Sequence, residues 1–177
     1  MVEPHTMASK PDPSGLASAG NTHIAGEMFV AAELAKRGHQ VSLTMGNAKA
    51  VDLFVERDGR VIAVQVKAIA RKGHSGWPLP FDKEKIIPGV IYVCVVLNRV
   101  DEPPTYYVLP PREVLARGKW YSTRAILPLG SVASSVFKGA WHLIDDELQK
   151  QRAGAKLLLQ VDEELPSSTG IDRVHNS

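Results

Sequence analysis

The chain has 177 residues, of which 44% are hydrophobic and 23% are charged, the composition of a globular protein rather than of a disordered one. Its net charge of +2 is too small to indicate nucleic-acid binding by itself, so such a surface would require local clusters of basic residues. No segment reaches the roughly 20 apolar residues that a membrane helix needs, and no secretory signal is recognisable, so we expect a cytoplasmic protein without membrane association.

The composition along the chain predicts one domain, residues 21–165, between two terminal segments. Residues 1–20 are rich in Pro, Ser, Ala and Gly and show no apolar period, which predicts a disordered lead. Residues 166–177 are expected to form a flexible polar tail. The single cysteine, Cys94, lies in an apolar run and cannot form an internal disulfide, so we expect a buried thiol in a reducing compartment.

The first predicted element is a helix over residues 22–36. Asn21 or Thr22 is the predicted N-cap, and Gly38 follows the helix as a C-terminal glycine should. Apolar residues recur there at three- and four-residue intervals and predict one buried stripe, formed by Ile24, Met28, Ala31, Ala32 and Ala35. A half-buried strand is predicted next, over residues 41–45.

A β-hairpin is predicted over residues 51–56 and 60–69, because Asp58-Gly59 between them is a strong turn signal. The later part of the chain predicts, in order, a loop at 71–78, a strand covered on both faces at 90–97, its antiparallel partner at 106–109, a short helix at 112–117, a helix at 131–137, a buried segment at 141–144 and a helix at 145–152. This order of elements favours an α/β domain with a central mixed sheet.

The second strand of the hairpin carries two polar residues in an otherwise apolar setting. Side chains alternate across a strand, so Gln65 and Lys67 share one face, while Val64 and Val66 lie on the other. A buried amide such as that of Gln65 needs a hydrogen-bond partner, because leaving it unpaired costs free energy. The position of Gln65 therefore points to a site rather than to a solvated strand end.

The residues with suitable chemistry for phosphodiester hydrolysis lie on the first helix and on the hairpin. Mg²⁺ prefers oxygen ligands, and Asp52 can supply an anionic one. The Gln65 side-chain carbonyl and the Val66 backbone carbonyl can supply neutral oxygens, and Glu27 can reach the ion directly or through water. Lys67 is suited to hold or deprotonate an attacking water, or to neutralise charge on the phosphate.

Asp52 followed by Gln65-x-Lys67 across a hairpin resembles the PD-(D/E)XK (restriction-endonuclease-like) nuclease superfamily, in the Mrr-like variant with Gln in the second half-motif. Glu27, on a helix that ends at Gly38, resembles the metal-site glutamate of Holliday-junction resolvases. Residues 22–68 are also similar to small uncharacterised bacterial members of this superfamily. The resemblance implies a restriction-endonuclease-like α/β core with a central mixed β-sheet flanked by helices.

The same resemblance implies a Mg²⁺-dependent endonuclease, with Mn²⁺ as an alternative ion, that acts on DNA rather than RNA. Nucleases of this fold are often dimers, which leaves a homodimer open. Two departures concern the motif: Val51 replaces the proline before Asp52, which many members tolerate, and Gln65 removes one negative charge from the metal ligands. The alternative is therefore a catalytically inactive nuclease-fold module that binds nucleic acid or a protein partner.

Several residues outside the motif have both a functional and a structural interpretation. His23 and Glu27 lie at i and i+4 of the helix, but without further ligands we do not expect zinc. Lys83 and Lys85 either contact phosphates or only solvate the surface. Trp77 either stacks on a base or closes a core edge, and we favour the core. The residues that we expect at the nucleic-acid interface are Asn47, Lys49, Arg71 and Lys72.

Overall fold

The structure is a computed structural model, and it describes residues 19–44, 51–70, 75–134 and 136–151. In chain order, the helices and strands are α1 (Ala19–Lys36), β1 (Gln40–Leu43), β2 (Leu53–Arg57), β3 (Arg60–Ala70), β4 (Gly76–Leu79), β5 (Val90–Leu97), β6 (Thr105–Leu109), α2 (Pro111–Arg117), β7 (Lys119–Trp120), β8 (Ala125–Pro128) and α3 (142–151). Short 3₁₀ turns occupy Lys83–Lys85 and Leu129–Ser131. None of the described helices has the length and apolar character needed to cross a membrane.

A five-stranded mixed sheet lies at the centre of the fold, with the strand order β1-β2-β3-β5-β6. Strands β3 and β5 are parallel, and the other neighbouring pairs are antiparallel. All eight residues of β5 are buried, as expected of a strand that is covered on both faces. Helices flank the sheet, so the predicted α/β fold with a central mixed sheet is confirmed.

The hairpin of β2 and β3 is confirmed, with its turn at the predicted residues. Asp58 and Gly59 both have positive φ angles, 53° and 73°, which is the backbone conformation of a type I′ turn. Arg57 and Arg60 close the pairing next to the turn. The turn therefore fixes the register that determines which residues of β3 share a face.

Helices α1 and α3 cover one face of the central sheet. The residues that they bury against it include Val30 and Leu34 of α1, Ile144 of α3, and Val64 and Val66 of β3. Helix α1 approaches β3 closely at Gly26, where an added Cβ atom would overlap the Cβ atom of Ala68. This close approach determines where the N-terminal half of α1 lies against the sheet.

The predicted buried stripe of α1 is wrong in most of its members. Ile24 and Met28 are 58% and 52% exposed, Ala32 and Ala35 are also exposed, and only Ala31 is partly buried. The buried residues of α1 are instead Thr22, Gly26, Val30 and Leu34. The helix turns this side to the sheet because the absence of a side chain at Gly26 permits contact there.

The ends of α1 differ in how well they were predicted. The helix already begins at Ala19, so Asn21 and Thr22 lie in its first turn and the predicted N-cap is wrong. The start of the helix lies inside the segment 1–20 that was predicted as a disordered lead. Residues 1–18 of that lead are outside the described part of the chain. Residues 152–177, which include the predicted tail, are outside it as well. Gly38 has a φ angle of 86° and its N–H donates to the Ala35 carbonyl, so the predicted C-terminal glycine is confirmed.

Helix α2 and a second, three-stranded sheet with the order β4-β8-β7 cover the opposite face. This sheet was not predicted. Trp77 of β4 is fully buried there, and its indole N–H donates to the Val95 carbonyl of the central sheet at 2.9 Å. The prediction that Trp77 belongs to the core is confirmed, as is the burial of Cys94.

The predicted helix over residues 131–137 is wrong. This stretch instead contains the end of a 3₁₀ turn followed by turns. The Phe137 carbonyl accepts from the Val108 N–H at 3.0 Å, and Tyr107 forms a bridge with Lys138, so the end of this stretch bonds to β6 instead of continuing as a helix. The short helix at 112–117 corresponds to α2 and is confirmed. The helix predicted at 145–152 is confirmed within α3 as far as residue 151, where the described part ends.

Candidate metal-binding and catalytic site

Asp52 lies directly before β2, at the point where β1, β2 and β3 meet. Its backbone is held from two sides: its N–H donates to the Val64 carbonyl at 3.0 Å, and its carbonyl accepts from the Thr44 N–H at 2.9 Å. Its carboxylate turns toward β3, where Oδ2 accepts from the Gln65 amide and from the Val66 N–H, the latter at 2.7 Å. The carboxylate therefore lies beside the Gln65–Lys67 edge.

Gln65 and Lys67 lie on the same face of β3, as the alternation of the strand predicts. Gln65 is 8% exposed, and its amide donates to the Asp52 carboxylate, so the expected partner of this buried amide is present. Lys67 is half-buried and, among the described residues, forms no ion pair. Its ammonium is therefore available to an anion that enters the site.

Glu27 follows Gly26 on α1 and is half-buried. Burial raises the pKa of the Glu27 carboxyl, and the negative charge of Asp52 raises it further, while His23 lowers it. An effect of Asp52 on the pKa of Glu27 requires the two carboxylates to lie within electrostatic range of each other. Helix α1 thus brings a second acidic group within the electrostatic influence of Asp52.

The electrostatic environment of Asp52 also disfavours its charged form. Burial raises the pKa of the Asp52 carboxyl, against the hydrogen bond from Val66 and the positive charges of Lys67 and His23, which lower it. Burial disfavours the charged form of both carboxyl groups, so a cation bound beside them would stabilise both. Such shifted carboxyl groups are typical of functional sites, although ion-pair networks also produce them.

The available donors fit Mg²⁺ better than a transition metal. The described residues contain no group of three or more His, Cys, Asp or Glu side chains that could hold a metal ion. Sites of that kind are what zinc requires, whereas Mg²⁺ is usually bound through one or two carboxylates and keeps several waters. Two carboxylates, the Gln65 amide oxygen and the Val66 carbonyl therefore form a donor set of the appropriate hard-oxygen type.

A cavity of about 420 Å³ adjoins the site on the same face of the sheet. Gln65, Lys67 and Tyr92 form its sheet side, and Tyr92 is the residue of β5 that pairs with Gln65. Tyr92 was not predicted as a site residue, because the pairing of β3 with β5 joins residues that are far apart in the chain. The only signal was a tyrosine inside an apolar strand, which is an ordinary core pattern.

The four residues predicted at a nucleic-acid interface lie outside the described residues. These are Asn47, Lys49, Arg71 and Lys72. Lys83 and Lys85 are described and exposed; Lys83 lies over the Trp120 ring, at 4.9 Å from its centroid, and Lys85 borders the cavity. Of the basic residues considered from the sequence, Lys85 is thus one that the structure brings near Lys67.

No protein-family model matches the chain, and no curated protein matches it either. Among solved structures, the chain is similar to a bacterial homing endonuclease, I-Ssp6803I, with a TM-score of 0.53 and 19% sequence identity. The match covers 80% of this chain and 99% of that one. Similarity over nearly the whole of the other chain shows that this protein has a nuclease-like fold.

Proposed function

We propose that this protein is a metal-dependent endonuclease of the PD-(D/E)XK type, which hydrolyses phosphodiester bonds in DNA. The observation that carries the proposal is the position of the Asp52 carboxylate, which accepts hydrogen bonds from Gln65 and Val66 beside the half-buried Lys67. The fold shared with a homing endonuclease supports a nuclease, and the resemblance of the Asp52 and Gln65-x-Lys67 motif favours DNA over RNA as the substrate. A cytoplasmic location and a homodimer stay predictions.

Four groups would hold Mg²⁺, or Mn²⁺ in its place: the carboxylates of Asp52 and Glu27, the Gln65 amide oxygen and the Val66 carbonyl. When bound, the ion would supply Lewis-acid polarisation of the phosphate and a more acidic bound water. The raised pKa values of Asp52 and Glu27 support this assignment, because both carboxyl groups are partly withdrawn from water and a bound cation would stabilise their charged forms.

Lys67 is the proposed catalytic lysine. Its half-buried ammonium shares the face of β3 with Gln65, so a phosphate at Asp52 lies within its reach. In this position it stabilises negative charge that develops on the phosphate and orients the attacking water. Because it has no ion pair among the described residues, no carboxylate of those residues has to be displaced before a phosphate binds.

A cleavage assay with matched variants tests the proposal. Wild-type protein, Asp52→Asn and Lys67→Ala are incubated with plasmid and branched DNA in Mg²⁺, Mn²⁺ or EDTA. We expect cleavage that needs the metal and falls about 100-fold or more in both variants. The matched controls are Asp58→Asn, in the exposed hairpin turn, and Lys36→Ala, at the far end of α1, and both should retain wild-type rates.

Equal cleavage by wild-type, Asp52→Asn and Lys67→Ala proteins would refute the proposed site, since the activity would then come from elsewhere.

The second candidate function is a nuclease-fold module that binds nucleic acid or a protein without cutting. The small number of acidic ligands favours it, because the described residues contain no group of three or more His, Cys, Asp or Glu side chains that could hold a metal ion. Calorimetric titration with Mn²⁺ separates the two: a nuclease takes up the ion in a way that Asp52→Asn abolishes, whereas a binding module does not.

A further inference from the structure

The cavity beside Lys67 has a second wall that the proposed cleavage chemistry does not use. This wall comes from the segment after β4, through Pro80, Glu84, Lys85 and Ile87. The cavity volume of about 420 Å³ falls within the range of about 300–1,000 Å³ that is typical of small-molecule sites. The space is therefore large enough for a group of nucleotide size.

The apolar part of the cavity is firmly supported. Tyr92 is only 3% exposed and is held in the centre of β5, and the partly buried Ile87 packs against the same core. Pro80 adds a rigid apolar ring on the same side. A flat apolar group such as a nucleobase fits against a surface of this kind, because apolar contact does not depend on base identity.

The polar part of the cavity favours an anion. Lys67 and Lys85 each contribute an ammonium, and neither forms an ion pair among the described residues. Glu84 contributes one carboxylate, so the lining carries a net charge of +1 when all three are ionised. A ligand with an apolar flat body and an anionic end is complementary to this arrangement, and a nucleoside monophosphate has this form.

We infer that the cavity is a nucleotide subsite, which receives one unpaired nucleotide of a DNA strand next to the phosphate held at Lys67. The position of the cut relative to this nucleotide rests on the proposed function, but nucleotide binding itself does not. A base in an intact duplex is stacked and paired and cannot enter the cavity unless it is flipped out. Flipping costs a few kcal/mol and is easiest for mismatched or unpaired bases. The preferred substrate class is therefore DNA with an unpaired nucleotide at the cleavage site.

Nucleotide binding in EDTA tests the subsite without any cleavage. Calorimetry of the full chain is carried out with dAMP, deoxyadenosine and inorganic phosphate. We expect dAMP to bind most tightly of the three ligands. The substitution Ile87→Trp fills the cavity and should weaken the binding of dAMP about tenfold. The control Val100→Trp places the same residue at an 81% exposed position and should bind as wild type does. Lys85→Ala is a surface change that leaves the core intact. It should weaken the binding of dAMP about tenfold but leave the binding of deoxyadenosine unchanged.

Two results would overturn the inference. One is inorganic phosphate that binds as tightly as dAMP. The other is an affinity for dAMP that is the same in the wild-type, Ile87→Trp and Lys85→Ala proteins. Cleavage then distinguishes the two proposals. Metal-dependent cleavage at equal rates of a paired duplex and of the same duplex with one unpaired nucleotide would refute the subsite and leave the nuclease intact. Cavity-dependent dAMP binding without any cleavage would refute the nuclease and leave the subsite.

Discussion

The close contact between α1 and β3 makes Gly26→Ala an informative substitution. An alanine side chain at this position would overlap the Cβ atom of Ala68. Carbon atoms of packed side chains prefer separations of about 3.5–4.0 Å, so α1 would have to move away from β3 by roughly 1 Å. The neighbouring residue Glu27 would move with the helix, so the substitution affects both stability and the proposed site.

The expected size of the effect follows from two opposing contributions. Overpacking of a well-packed contact costs about 1–3 kcal/mol, and the better helix propensity of alanine stabilises the folded state by about 1 kcal/mol. Gly26→Ala should therefore lower the free energy of unfolding by up to about 2 kcal/mol. For a chain of this length the melting temperature should fall by up to about 8 °C. The DNA cleavage rate should fall further than this loss of stability explains, because reacting groups tolerate little displacement.

Urea unfolding followed by circular dichroism measures the change, with Gly130→Ala as the control because an added Cβ atom there meets no atom within 4 Å. Ala68→Gly removes the opposing Cβ atom and should restore the stability that Gly26→Ala loses. The coupling free energy between the two substitutions should be about 1 kcal/mol or more. Additive effects of the two substitutions, or a Gly26→Ala protein more stable than wild type, would refute the close contact as the reason why α1 has this position.

Two further predictions concern buried polar groups. Trp77→Phe removes the buried hydrogen bond to the Val95 carbonyl and should lower the free energy of unfolding by about 1–3 kcal/mol; Trp120→Phe should cost less, because that indole nitrogen has no hydrogen-bond partner among the described residues. Burial, reinforced by the positive charge of Arg57, lowers the pKa of His39 below its ordinary 6.5. The unfolded chain then binds the proton more readily, so stability should fall as the pH drops from 7 through 6.5 toward 5, and His39→Gln should flatten this dependence in urea titrations.

The central sheet could be predicted from the sequence because its patterns are local. The Asp58-Gly59 turn fixes one hairpin, and the unbroken apolar run of β5 indicates a strand covered on both faces. The buried side of α1 could not be predicted by hydrophobicity, because the contact depends on the absence of a side chain at Gly26. Ile24 and Met28 are more hydrophobic than Thr22, but they lie on the side of the helix away from the sheet.

The second sheet and the turns after it were beyond prediction for a different reason. Strands β4, β7 and β8 have four, two and four residues, which is too short to show a period. Residues 131–137 suggested a helix, but the Phe137 carbonyl at their end bonds to Val108 of β6, which is distant in sequence. Pairing with a distant strand leaves no local pattern in the sequence.

The motif predicted which residues of the hairpin meet, because alternation and the turn register place them together. Gln65 required a partner, and the Asp52 carboxylate is that partner. The contribution of Tyr92 and Lys85 could not be predicted, since it depends on how β5 and the segment after β4 pack against β3. Local patterns thus indicate the chemistry of the site, whereas the cavity beside it is a product of tertiary packing.

Asp52 contributes to the fold as well as to the proposed chemistry. The β2–β3 ladder ends at the Leu53–Val64 pair, and beyond it the Val66 N–H donates to the Asp52 carboxylate instead of to a backbone carbonyl. The same carboxylate oxygen accepts from Gln65, so Asp52→Ala would leave two donors without this partner, and each buried donor left unpaired costs about 1–3 kcal/mol. Asparagine keeps an oxygen for both donors and removes only the charge. An Asp52→Asn protein that is as stable as wild type but inactive would therefore identify the negative charge, and not the strand connection, as what Asp52 supplies to catalysis.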